Sequence, residues 1–244
     1  LTLLATLNSL AKIESRLSFT IIGPELRASS ADMFRKTVFI VFCLLLLQAA
    51  GLAQKPVDKD VYEVLLERVK RQDAAVNFRE LRLAYTETKQ YSPYGGDRET
   101  RKAMFASLNS KQYDQALISS EKILAGNYLD INAHFGAYLA NRELGHADKA
   151  DFHKNIFQKL LKSISDSGDG KTMATAFVVI STDEEYALFN FMGVQPTAQA
   201  LIEDKNHHYD KMTVTDPKSE QNSIYYFNID KPFNWLNNSL KIKD

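Results

Sequence analysis

Few residues in this 244-residue chain have the chemistry to move a proton or hold a metal. Asp183, Glu184 and Glu185 set three carboxylates ahead of Tyr186. Acid–base work would need one of them buried, so that desolvation raises its pKa, and a second titratable group opposite it. His134 and His208 have the right chemistry for that partner, which makes Glu184, Glu185, His134 and His208 the catalytic candidates. The plainer reading of the acidic run is a solvated turn or helix start. His207 and His208 with Asp210 have the ligand chemistry of a transition-metal site, although neighbours on a strand point to opposite faces. His146 and His153 lie seven apart, a spacing that would bring both near one helix face. His153, however, sits between Ala150 and Phe157 on an apolar stripe and reads as a core or groove residue.

Other chemistries lack their motifs. Gly168-Asp-Gly-Lys-Thr172 ends as a phosphate-binding loop ends, but Ser165 stands where that loop needs its first glycine, and no strand precedes it. As a calcium loop it has Phe177 in place of the bidentate glutamate. It reads as a tight turn between helix and strand. The chain has no Gly-x-Ser-x-Gly elbow and no His-Glu-x-x-His pair. No cofactor is expected.

Composition bounds the setting. The chain is 45% hydrophobic and 25% charged with zero formal net charge, so no broad basic field points to nucleic acid. Met33-Phe-Arg-Lys36 precedes an uncharged apolar run over 37–47, and small residues follow to Ala53. This is the pattern of a secretory signal, with cleavage expected before Gln54. Uncleaved, it would be the chain's one contact with a membrane. The single cysteine, Cys43, falls inside the apolar run, so the body after residue 53 has no thiol for a disulfide, a nucleophile or a metal. Residues 1–32 precede the signal, whose natural place is the start of a chain. They are expected to be a disordered extension from a start codon assigned too early. Residues 54–244 are expected to form a single exported domain in the periplasm or envelope of a Gram-negative-type bacterium, with a helical part over 54–165 and a β-rich part over 170–244.

The elements that must position the chemistry follow from periodicity. Helices are expected over 58–71, with Val61, Val64, Leu65 and Val69 on one face, and over 75–86, with Phe78, Leu81 and Tyr85 aligned. Tyr91-Ser-Pro-Tyr-Gly-Gly-Asp97 interrupts the pattern. Tyr91 and Tyr94 there either line a binding surface or pin the loop to the core. Asp97 is a plausible N-cap for a helix over 98–108, and further helices are expected over 112–124, 131–142 and 147–164. Beyond Gly170 the helical period fades. The β-branched run 176–181 reads as a strand. Residues 185–192 fit either a strand, favoured by their aromatics, or a helix opened by Ser181 and Glu184 and stopped at Gly193; the strand is preferred. Strands over 198–203, 209–215 and 224–229 are joined by turns at 204–206 and 216–221. Pro232 opens a last helix whose Phe233, Leu236 and Leu240 are expected to face inward.

Two resemblances attach to these residues. Gln112-Tyr-Asp-Gln-Ala-Leu117, with Glu121-Lys-Ile-Leu124, Asn127-Tyr-Leu-Asp-Ile131 and Leu144-Gly145, is similar to tetratricopeptide spacing. The usual inter-repeat proline is missing, and only two degenerate units are present. Phe78-Arg-Glu-Leu81 with Tyr85, Tyr91-Ser-Pro-Tyr94, Asn127-Tyr-Leu-Asp130 with Ala133-His134, Gly168-Asp-Gly170, Glu184-Glu-Tyr186 and Tyr226-Phe-Asn-Ile-Asp230 resemble, in that order, the family called domain of unknown function 4919. That resemblance implies a shared fold and export, and carries no activity. The expected architecture is α+β: an N-terminal layer of antiparallel, tetratricopeptide-like helical hairpins packed on a small C-terminal antiparallel β-sheet. The expected role is a non-catalytic binding or interaction module for another envelope protein, a peptide or a glycan. A hydrolase built on a carboxylate/His pair and a structural subunit of an envelope complex are the alternatives.

Overall fold

The computed structural model describes residues 60–241. The signal and extension expected over 1–53 lie outside the described residues. Among the described residues six helices come first. In α1 (Val61–Lys70) the Asp60 side chain caps the Tyr62 N–H, and Tyr62, Leu65 and Val69 form the buried stripe. Val61 and Val64, expected on that stripe, are exposed. The capped turn rotates them about 100° per residue away from the packed face. In α2 (Phe78–Tyr85) Asn77 caps two N–H groups, and Phe78, Leu81, Arg82 and Tyr85 are buried. The hairpin layer is α3 (Arg98–Asn109), α4 (Tyr113–Gly126), α5 (Ile131–Glu143) and α6 (Ala147–Ser165), each packed on the next. Asp97 and Asp130 cap α3 and α5 through Thr100 and Ala133.

Helix α5 is buried around most of its circumference, and small residues allow it. Ala133, Ala137 and Ala140 are fully covered. At Gly136 an added Cβ would lie 2.5 Å from Met104 Sδ and 2.8 Å from Ser120 Oγ, so α3 and α4 approach where only hydrogen fits.

After α6 the chain makes a short strand, β1 (Phe177–Val178), and then α7 (Thr182–Met192). The preference for a strand over 185–192 is corrected: this segment is helix. Gly193 ends it at φ 72°, in the left-handed region. The buried positions are Glu184, Glu185, Ala187, Leu188 and Phe189, and two of the five are acids, so the apolar pattern hid the face. The helix does not open on a capping box. Ser181 makes no side-chain cap, and Glu184 accepts from the Ile180 N–H at 2.8 Å instead.

Strands β2 (Gln195–Asp204), β3 (His207–Thr215) and β4 (Asn222–Asn228) form the expected antiparallel meander. Lys205 and Asn206 both have positive φ, the conformation that closes a two-residue hairpin. The sheet order is β1-β4-β3-β2, with β1 parallel to β4, so the sheet is mixed. The run 176–181 stops pairing early because side chains take its backbone groups. Arg82 donates to the Val178 carbonyl, Glu184 accepts from the Ile180 N–H, and Tyr91 donates to the Ile180 carbonyl.

The last helix, α8 (Asp230–Lys241), buries Pro232 and packs Phe233 and Trp235 against the core. Leu236 and Leu240, expected to face inward, are exposed. Phe233 stacks on the His208 ring and Trp235 meets Tyr94, which turns the leucines outward. One core joins the parts: Leu65, Leu81, Leu160, Phe189, Met212 and Phe227 belong to a single buried cluster drawn from helices and sheet alike.

Candidate functional site

The first turn of α7 holds two buried glutamates in contrasting settings. Glu184 forms a bidentate ion pair with Arg82 of α2: Nε to Oε1 at 2.8 Å and Nη2 to Oε2 at 2.6 Å. Arg82 also donates to Ser163 Oγ of α6. Both charges are below 6% exposure and hydrogen-bonded, the condition for tolerating a buried pair. Beside them Arg101 bridges Asp130 and Asp183. A cavity of about 20 Å³ between Tyr91, Asp130 and Glu184 has room for one water.

Glu185 is fully buried, and no protein N–H or O–H reaches either carboxylate oxygen. Burial, then the neighbouring Asp210, then Glu184, raise its pKa to about 9. The hydrogen bond open to it is one with Asp210, which is also buried on β3, and that bond needs a proton between the two carboxyls. Tyr94 is close enough to this pair to feel its charge. Its phenol is pushed up by burial and by Asp210 and Glu185, and its ring meets Trp235 at 6.3 Å. Glu185, Asp210 and Tyr94, separated widely in the chain, thus meet at one place. Tyr91 does not join them: it is buried, and its hydroxyl is committed to Ile180.

The histidines are placed elsewhere. His207 Nδ1 lies 2.6 Å from Asp230 Oδ2, and the His208 N–H donates to Oδ1. Burial would raise the Asp230 pKa, but these bonds hold it below the usual carboxylate value. The His208 ring stacks on Phe233 at 3.5 Å, and its Nδ1 stays 3.5 Å from Asp230. The proposed metal trio of His207, His208 and Asp210 is therefore split: both histidines turn to Asp230, and Asp210 turns to Glu185. Among the described residues no three His, Asp or Glu side chains converge as a metal site requires.

His134 is fully buried in α5. Its Nε2 is 2.8 Å from the Tyr128 carbonyl and its Nδ1 is 3.0 Å from His153 Nδ1. Among the described residues, neither His134 nor His208 hydrogen-bonds Glu184 or Glu185. His146, the other proposed companion of His153, is held by Asn141 at the start of α6.

The family model for domain of unknown function 4919 matches residues 56–238. The chain belongs to that family. No curated protein and no solved structure matches it. The match covers α1 to α7 and the whole sheet, and α8 as far as residue 238, so the 4919 domain includes both glutamate settings and the histidine pair.

Among the described residues two clefts open on the helical side of the 4919 domain. One, of about 520 Å³, lies between α1, α2 and α6, with Asp73, Asp148 and Asp151 on its walls and Lys159 over the Phe78 ring. The other, of about 380 Å³, lies between α1, α4 and the Tyr128 turn, and His153 is on its wall. Neither is lined by Glu184, Glu185 or Asp210. Sequence reasoning missed Arg82, Arg101 and the His134–His153 contact. Arg82 left one signal, an arginine on an otherwise apolar face beside Phe78, Leu81 and Tyr85. The histidine contact left none, because nineteen residues and a helix turn separate the two rings.

Proposed function

We propose that the 4919 domain is a non-catalytic binding module exported to the cell envelope, with a ligand cleft on its helical side. The observation that carries this reading is how the reactive side chains are spent. Glu184 is consumed by Arg82, Glu185 faces Asp210, and His134 is held between Tyr128 and His153. The acid–base groups hold the fold together, while the two clefts are walled mainly by helix surfaces, the form that ligand sites commonly take. Export is supported by the signal pattern over 33–53 and by the start of the family match at residue 56, just beyond the expected cleavage point. The tetratricopeptide-like spacing over 112–145 supports a paired-helix layer used for recognition.

The test is native mass spectrometry of the protein recovered from envelope extract. A bound component of several hundred daltons is expected, and it should be lost from a Gly126→Trp variant. Gly126 borders the 380 Å³ cleft, and a Cβ added there meets no atom within 4 Å. Recovery of an empty protein that takes up nothing from the extract counts against the reading.

A hydrolase remains the second reading because a carboxylic acid held protonated at neutral pH, as Glu185 is, has the form of a general acid. Turnover of chromogenic ester or glycoside substrates that disappears in Glu185→Gln would put it first.

A further inference from the structure

The 380 Å³ cleft contains a polar group whose role is settled by elimination. The Tyr128 carbonyl has no proton, so His134 Nε2 must donate to it across 2.8 Å. His134 is neutral: burial, then His153, push its pKa down to about 3. A neutral imidazole with its proton on Nε2 presents a lone pair at Nδ1. His153 Nδ1 lies 3.0 Å from that lone pair and must therefore carry a proton and donate it. His153 is neutral as well, lowered to about 4 by burial and by Lys149. Its remaining nitrogen, Nε2, is left as a lone pair. No donor among the described residues satisfies it, and His153 is a half-buried residue on the wall of the cleft. The chain Tyr128 C=O, His134, His153 thus sets the tautomer of a side chain on the cleft wall.

The rest of the wall defines what that acceptor meets. Tyr128 and Leu66 offer half-buried aromatic and aliphatic surface over the buried Tyr62 and Leu124, and Lys70 lies 5.0 Å from the Tyr128 ring centroid. Lys70 and Glu121 contribute one charge of each sign, so the cleft does not select an ion by net charge. Together with the Gln90 amide they supply both donors and acceptors. The volume is that of about a dozen waters. A ring with an apolar face and hydroxyl groups at its edge satisfies these features together, whereas a metal would find too few ligands and an anion a competing carboxylate.

We propose that the His134–His153 relay fixes His153 Nε2 as a hydrogen-bond acceptor for a hydroxyl of a neutral, disaccharide-sized sugar bound in this cleft. The proposal rests on the binding-module reading and narrows it to a ligand class.

The test is long-range ¹⁵N–¹H NMR of the full chain labelled at histidine, at neutral pH. Maltose, cellobiose and N,N′-diacetylchitobiose are each titrated to millimolar concentration. The expected spectrum has His134 protonated on Nε2 and His153 on Nδ1. At least one disaccharide should move the His153 Nε2 resonance saturably. Gly126→Trp should abolish that shift with both tautomers unchanged, and His153→Phe should weaken binding of the same sugar by about tenfold, the loss of one hydrogen bond. A His153 protonated on Nε2, or saturating sugar with no response at His153, overturns the proposal. So does the absence of binding by all three sugars. If the native protein still carries another component that Gly126→Trp displaces, the binding-module reading survives while the sugar assignment falls.

Discussion

Glu184 and Glu185 are neighbours in one helix turn, almost equally hidden from water, and their surroundings treat them in opposite ways. Glu184 faces α2 and meets a guanidinium in bidentate geometry, with the Ile180 N–H on the same carboxylate. Glu185, one residue and about 100° further round, faces the sheet and meets Asp210. The first is satisfied as an anion, the second only as an acid. The lesson is that burial alone does not decide the state of a carboxyl. The partner brought to it by another element does.

The comparison can be broken most forcefully at the ion pair. Arg82→Ala leaves Glu184 buried without a cation, and a loss of about 3–5 kcal/mol in urea unfolding is expected. A loss below about 1 kcal/mol would mean that water or a shifted side chain replaces the guanidinium. At Glu185 the sign reverses. Its folded-state pKa of about 9 stands above the ordinary glutamate value of 4.5. The folded state therefore holds a proton that the unfolded chain releases, and this contribution is complete below about pH 4.5 and is lost as pH rises toward 9. Glu185→Gln keeps the shape, removes the titration and should raise stability near pH 8 by ~1–3 kcal/mol. Unfolding free energies across pH 5 to 9, roughly the span of that titration, should fall in the parent and flatten in the variant. A parallel pair of curves would refute the assignment.

A smaller effect sharpens the same contrast. Asp210→Asn replaces a like charge by an amide able to donate to Glu185, so the Glu185 titration, followed by carboxyl ¹³C NMR, should move down by one unit or more. The smallest effect belongs to the rim. Tyr94→Phe should change stability by less than about 1 kcal/mol, because Tyr94 is partly exposed and its ring contact with Trp235 survives.

Much of the helical part was legible. Asp97 and Asp130 precede apolar periods and cap α3 and α5, and the stripes through Leu81 and Leu160 are the ones that pack. The meander was legible too, because Met212 and Val214 alternate with polar residues and Lys205-Asn206 punctuates the hairpin. Helix α7 was not, since its inner face contains two acids where the eye searches for leucines. The ends of the chemistry suffered the same fate. His134 and Glu185 were singled out by residue type, yet each meets a partner that spacing along the chain does not reveal.

What the sequence by itself determined is local: where helices start, which strands alternate, and which chemistries have no motif. These depend on residues within a turn or two of one another, where backbone geometry and capping operate. Only the tertiary structure decided the protonation and tautomer of the buried groups. Those states depend on a carbonyl, a guanidinium or a second carboxyl delivered from distant segments into a site with little water, where one neighbour outweighs every local preference.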